Sequence, residues 1–439
     1  MSDDRPLPRI VIVGGGAGGL ELATRLGNKL GRKGRADVLL IDAQRTHIWK
    51  PLLHQLAAGS YDSHAEEIEY LAQARWHHFR FRQGRLAGLD RAAREVLLAP
   101  LMDADGREIL PAQRIGYDYL VMAIGSQTND FGTKGVAEHA IRLDSPEAAR
   151  QFHERLIDAC LRAHNLPVEA GKGRMTVAII GAGATGVELA AELHSAAQVL
   201  GSFGLDHINP DSDMKIVLVE ASPRILAALP ERLSEAASKE LRKLAVEIHS
   251  NERVVEVSAE GVRMGSGKFI PSTLTVWAAG IKAPDFLKDI DGLETNRINQ
   301  LVVDATLRTT RDERIFALGD CGGCPMEGGG WVPARAQAAH QQAALLAGNI
   351  VRAMAGKPLQ TFRFQDYGSL VSLSSYSSVG SLMGSLARGS LFVEGQIAKL
   401  MYWGLHKQHQ VALSGVVRTV LITLSEWLDR VHRPKIKLH

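Results

Sequence analysis

Two copies of one pattern predict an α/β chain. Each copy has a buried strand, a G-x-G-x-x-G turn, a helix, and a second strand closing in an acid. A further strand in each copy ends in small residues, which predicts two Rossmann-like dinucleotide-binding domains. The 439 residues suffice for two or three domains. Apolar residues make up 45% and charged residues 23%, a globular balance that excludes disorder. Glycine, with 43 residues, exceeds its usual share and points to many tight turns.

Arg9–Val13 reads as the first strand, and Gly14, Gly16 and Gly19 supply the turn. A helical pattern runs from Leu20 to about Leu30, and a strand over 37–41 ends in Asp42. The first glycine permits the turn, the second admits a pyrophosphate to the backbone, and the third lets the helix sit close to the strand. Unpaired N–H groups at the helix start face the phosphates, and Asp42 is placed to accept from a ribose diol. A lone glycine motif is weak, because such turns are often merely structural. All four flanking elements stand in order here.

The unit recurs with a strand over 175–180, Gly181, Gly183 and Gly186, a helix over 187–200, and a strand over 215–219 ending in Glu220. Residues 201–214 read as a loop. Closing strands end in Ala123-Ile124-Gly125 and in Ala278-Ala279-Gly280. A third strand, 314–318, runs into Gly319-Asp320, where an open α/β sheet binds its ligand.

Lys+Arg at 51 against Asp+Glu at 48 gives +3, too mild for a chain built around nucleic acid. The charge is uneven: Gln396 to His439 holds seven Lys/Arg and two acids. Apolar residues in that stretch recur at Ile397, Leu400, Met401 and Leu405. They recur again at 416, 417, 420, 421, 424, 427, 428 and 431, the three-and-four spacing of an amphipathic helix. Core or dimer packing is the ordinary explanation of such a stripe. The N-terminus lacks a secretory pattern, and no run is long and apolar enough to span a membrane. Three cysteines, Cys160, Cys321 and Cys324, make neither a disulfide framework nor a four-thiolate cluster, and no metal site is expected.

The chain resembles the two-dinucleotide-binding flavoproteins and, more narrowly, the type II NADH dehydrogenases, single-chain NADH:quinone oxidoreductases. The resemblance runs nearly end to end. Its carriers are 46–54 (THIWKPLLH), Ala123–Ser126, Asn129–Gly132, Gly181–Glu188, Gly319–Cys321 and the A-Q-x-A-x-Q run Ala336–Gln341. It implies FAD on Gly14, Gly16, Gly19, Asp42, Lys50, Ala123, Gly125, Gly319 and Asp320. It implies NADH on Gly181, Gly183, Gly186, Glu220, Ala279 and Gly280, with a membrane quinone at Gln337 and Gln341. Glu188 would contact the nicotinamide end and couple the two substrates, although an acid in a first helical turn also simply suits the helix dipole. Gln337 and Gln341 lie four apart, so they share a helix face. Glu220 would disfavour a 2′-phosphate, with Arg224 nearby blurring that preference.

The implied organisation is an FAD domain in two segments (1–145 and 281–350, the second with the quinone helix), an inserted NADH domain (146–280), and a membrane-association segment (351–439). The expected reaction is NADH oxidation by a membrane quinone without proton pumping, at the cytoplasmic face of the inner membrane. The C-terminal segment would lie on anionic lipid, and a homodimer through it is compatible. Two alternatives stand beside this. One is a sulfide:quinone oxidoreductase using Cys160 with Cys321 or Cys324. The other is a flavoprotein that senses NADH.

Overall fold

The computed structural model describes residues 7–61, 66–165, 175–202, 214–374, 376–384 and 387–429. The chain forms two compact units. One comprises Met1–Trp49, Glu67–Gln127 and Ile281–Gln365; the other comprises Lys50–Glu66, Thr128–Gly280 and Asp366–His439.

In the first unit a five-stranded sheet runs in the order Ile315–Ala317, Tyr119–Met122, Arg9–Val13, Asp37–Asp42, Arg80–Gln83. Every pairing is parallel. Its inner strands are continuous apolar runs because both faces are covered: Ile10, Val11, Ile12, Leu120, Val121 and Phe316 are all fully buried. The helix Ala17–Lys29 buries Leu20, Leu22, Ala23 and Leu26. Gly18 lets it approach the helix Ala336–Met354, since a Cβ there would stand 3.0 Å from the Ala339 carbonyl.

The second unit repeats the plan. Its parallel sheet runs Ile141–Arg142, Leu274–Trp277, Met175–Ile180, Met214–Val219, Glu247–His249. An antiparallel meander, Val254–Ser258, Gly261–Met264 and Phe269–Pro271, shares one core with it through Val219, Val257, Val262, Met264 and Trp277. A second antiparallel sheet follows: Gly368–Leu373, Ser377–Gly384 and Ala387–Glu394. Helices Gly395–Ser414 and Val416–Asp429 complete the unit.

The unit boundaries differ from those read in the sequence. The segment from Thr128 onward goes with the second unit rather than ending the first at 145. Thr128 is tied there by its N–H and hydroxyl to Asp144 (2.8 and 2.9 Å), and Asn129 N–H donates to the Gly280 carbonyl. Residues 366–439 also fold into that unit instead of standing apart. Of the expected loop 201–214, residues 203–213 lie outside the described residues, as do Arg430, Val431, Arg433, Lys435 and Lys437 of the tail.

Candidate functional site

The two glycine turns are built on the same backbone bonds. Gly14 (φ +105°) and Gly181 (φ +101°) donate to the carbonyls of Ile41 and Val219, both at 2.8 Å. A Cβ on Gly14 would collide with the Ala123 carbonyl, and one on Gly181 would stand 2.7 Å from Ala279 Cα. A Cβ on Gly19 or Gly186 would strike the carbonyl of Gly14 or Gly181 respectively. Gly16 and Gly183, by contrast, face open space, as does Gly125 (φ +75°).

The acids match too. Asp42 accepts from Gly15 N–H (2.5 Å) and Gln44 N–H (2.7 Å). Glu220 accepts from Ala182 N–H (2.7 Å) and Ser222 N–H (2.8 Å). Each carboxylate thus braces its glycine turn. The donor set suits a dinucleotide in both places: an uncrowded glycine, a helix N-terminus and an anchored acid. Arg224 spends its guanidinium on the carbonyls of Leu226, Ala227 and Leu229, so it is engaged in its own loop.

Sequence reasoning missed how the first turn is gripped. The Gly15 carbonyl accepts from the Tyr70 hydroxyl (2.8 Å) and from His47 Nδ1 (2.9 Å). Burial pushes the His47 pKa down to about 4, so the ring is a neutral donor. His47 belongs to the 46–54 segment, and this contact gives that segment a physical task. Lys50 is exposed and falls in the second unit.

The helix Ala336–Met354 organises the other side of the first unit. Gln342, buried, accepts from Gly319 N–H (2.7 Å). Beyond Gly319 (φ +68°), Asp320 accepts from the Ser126 hydroxyl (2.7 Å), and its carbonyl from Gln300 (2.9 Å). His340 meets the fully buried Glu21, which also pairs with Arg25 at 2.6 Å. Gln337 sits half-buried in the first turn. Gln341 does not present a free amide: its two ends bond the carbonyl (2.8 Å) and N–H (3.0 Å) of Gln365. Gln342, one residue on, is the glutamine that touches the Gly319-Asp320 turn, and nothing in the spacing singled it out.

Glu188 lies inside the second unit, 6% exposed. The helix begins at Ala184, earlier than the sequence suggested, so Glu188 lies beyond its first turn. The helix-dipole explanation therefore fails. Burial raises its pKa to about 8, opposite to what a dipole-stabilised carboxylate would show. Its Oε1 accepts from Ser372 N–H (3.0 Å) on the Gly368–Leu373 strand, and the Tyr402 hydroxyl faces it. His54 Nδ1 stands 3.5 Å away, its pKa lowered by burial to about 4. At neutral pH both groups are uncharged, so their contact is not an ion pair. One helical turn on, Glu192 accepts a 2.5 Å bond from Ser60.

All three cysteines are buried free thiols. Burial raises Cys321 to about 12, and Cys160 and Cys324 to about 11, which suppresses the thiolate that sulfur transfer requires.

Two dinucleotide cradles on parallel sheets define a pyridine-nucleotide flavoprotein reductase. The family model for pyridine nucleotide-disulphide oxidoreductases matches residues 8–343. The type II NADH:quinone oxidoreductase of Haemophilus influenzae is 44% identical, over 99% of this chain and 100% of that one. That of Staphylococcus aureus is 28% identical, over 89% and 92%. Among solved structures, NDH2 from Plasmodium falciparum in complex with NADH has a TM-score of 0.81 at 18% identity, covering 98% and 100% of the chains. The sulfide:quinone oxidoreductase of Aquifex aeolicus reaches 0.72 at 17%, covering 98% and 96%; these two likenesses speak for the fold. The chain belongs, within that flavoprotein family, to the type II NADH:quinone oxidoreductases.

The glycine roles separate by substitution. Gly19→Ala and Gly186→Ala should each cost about 1–3 kcal/mol through overpacking, read as a lower melting temperature. Gly16→Ala should leave the flavin-free protein's melting temperature unchanged and lower flavin retention. Equal melting losses at Gly16 and Gly19 would contradict the division.

Glu188 keeps its proton in the fold up to about pH 8, whereas an unperturbed carboxyl titrates near 4.5. The unfolded state therefore binds fewer protons between those values, and stability falls as pH rises. His54 acts oppositely, but only between about 4 and 6.5. From pH 6.5 to 8 the Glu188 slope should be about 1.4 kcal/mol per pH unit. Denaturant titrations of Glu188→Gln across that window should lack this component; parallel slopes in both proteins would refute it.

Proposed function

We propose that the chain oxidises NADH with FAD as resident cofactor and passes the two electrons to a membrane quinone, without pumping protons. The observation that carries the reading is the pair of matched cradles in one chain, together with the helix that grips Gly319 through Gln342. The full-length likeness to a type II NADH:quinone oxidoreductase supports it. FAD, when bound, supplies the two-electron redox chemistry. Gly14, Gly16, Gly19 and Asp42 would hold its pyrophosphate and ribose, with Ala123, Gly125, Gly319 and Asp320 beside the remainder. Gly181, Gly183, Gly186, Glu220, Ala279 and Gly280 would hold NADH, and the anchored carboxylate of Glu220 repels a 2′-phosphate.

The sum is NADH, quinone and one proton giving NAD⁺ and quinol. Gln337 and Gln341, four apart on the Ala336–Met354 helix, are the candidate donors to a quinone carbonyl. Glu188 holds a proton below about pH 8 and joins the NADH-domain helix to the C-terminal sheet and helix.

The C-terminal helix carries the membrane reading. Val416, Val417, Val420, Leu421, Leu424, Trp427 and Leu428 are all exposed, Val417 at 77%. Such a continuous apolar stripe on a solvent-facing helix calls for a partner. Lys407 on the preceding helix reaches Glu426 at 2.6 Å and stands over the Trp403 ring, clasping the helix pair. No described helix is long and apolar enough to cross a membrane. Lying on anionic lipid at the cytoplasmic face of the inner membrane fits the quinone chemistry and the basic tail.

In anaerobic stopped-flow, NADH should bleach the flavin of Gln337→Ala at the wild-type rate, and a short-chain quinone should restore it at least tenfold more slowly. Equal slowing of both half-reactions would remove Gln337 from the quinone site. A wild-type flavin that NADH bleaches and quinone never restores would favour the sensing flavoprotein.

Val417→Ser/Leu421→Ser/Leu424→Ser should abolish sedimentation with phosphatidylglycerol-containing vesicles while the protein stays folded and oxidises NADH with soluble quinone. Unchanged sedimentation, with a dimer becoming monomeric in light scattering, would assign the stripe to self-association.

A further inference from the structure

The second cradle has a direction. Glu220 ends the strand on one side of Met175–Ile180, and Ala278-Ala279-Gly280 follows the strand on the other side. The crevice of such a sheet opens between the strands where the order reverses. With the adenine ribose on Glu220 and the pyrophosphate over Gly181–Gly186, the nicotinamide half must fall toward Gly280.

One residue there is out of keeping with its surroundings. Phe131 has φ +52° and is 67% exposed. A left-handed backbone costs a residue other than glycine roughly 1–2 kcal/mol, and an exposed phenyl recovers little of that by burial. The turn is nonetheless held firmly. Phe131 N–H donates to Asn129 Oδ1 and Gly132 N–H to Asp130 Oδ1, both at 3.0 Å. The Asn129 carbonyl accepts from the Trp277 indole (2.9 Å). The ring itself lies on Gly280: a Cβ there would collide with its edge, with Phe131 Cε2 at 2.8 Å. Glycine or asparagine would suit the turn better, so the backbone does not call for a phenyl here.

We infer that Phe131 walls the nicotinamide half of the dinucleotide site, its ring packing against the nicotinamide riboside of NADH and positioning it for hydride transfer. This rests on the NADH reading above and assigns a positioning residue to it. Phe131→Asn keeps the left-handed turn and removes the ring, so the domain folds. Phe131→Tyr keeps the ring.

The test uses the flavin-loaded protein and two probes, NAD⁺ and ADP-ribose, which lacks nicotinamide. Phe131→Asn should weaken NAD⁺ and raise the KM for NADH about tenfold. ADP-ribose affinity should stay at the wild-type value, and Phe131→Tyr should restore NAD⁺. Equal losses for both probes would make the turn a mere support of the domain, and no loss for either would place the ring away from the ligand; each overturns the inference. A wild-type flavin that NADH never bleaches would instead remove the parent reading, an outcome separate from either.

Discussion

Everything at the two cofactor cradles depends on a missing methyl group. Where the third glycine of each turn crosses the carbonyl of the first, no Cβ fits, and that near-contact fixes the distance between helix and strand. Only at that distance does the helix start point its free N–H groups across the second glycine, where space is left open. Only there does the acid of the next strand reach the amide after the first glycine, Gly15 or Ala182. One backbone approach thus sets the open second glycine, the braced carboxylate and the joint to the closing strand. The chain solves the problem twice with the same bonds.

The Ala336–Met354 helix extends that geometry across the first unit. It sits close to the first cradle's helix because Gly18 faces Ala339. The fully buried Glu21 is matched there by Arg25 and His340. Burying a carboxylate is costly unless a cation meets it; Arg25 on the same helix supplies one, and the His340 contact ties that helix to its neighbour. Gln342 falls opposite Gly319, and the Gly319-Asp320 turn is held from the Ala336–Met354 helix itself.

Much of this was legible in the sequence. Both fingerprints, both acids and the closing strands follow from local pattern, because strand, turn and helix are contiguous there. What escaped depends on distant partners. Tyr70 reaches Gly15 across 55 residues and is marked by no spacing. The tie of Gln341 to the backbone of Gln365 likewise spans distant sequence and is marked by no spacing. The sheet over 368–394 is rich in Ser and Gly, so its strands lack a clean apolar alternation and passed as part of a membrane segment. Without that sheet the environment of Glu188 could not be foreseen, and the dipole argument filled the gap wrongly.

Glu21 and Glu188 make the point sharply, for each stands two residues after the third glycine of its turn. Sequence position would give them one role. Glu21 meets an arginine and a histidine, whereas Glu188 meets a backbone amide, a tyrosine hydroxyl and a histidine that burial holds neutral. Lacking a cation among these partners, Glu188 lowers its burial cost by keeping its proton. The difference comes from what packs on each helix: another helix of the same nucleotide domain in one case, the C-terminal sheet and helix in the other. A neutral acid at that junction changes charge with small changes in its surroundings, since its pKa of about 8 lies within a unit or so of neutrality.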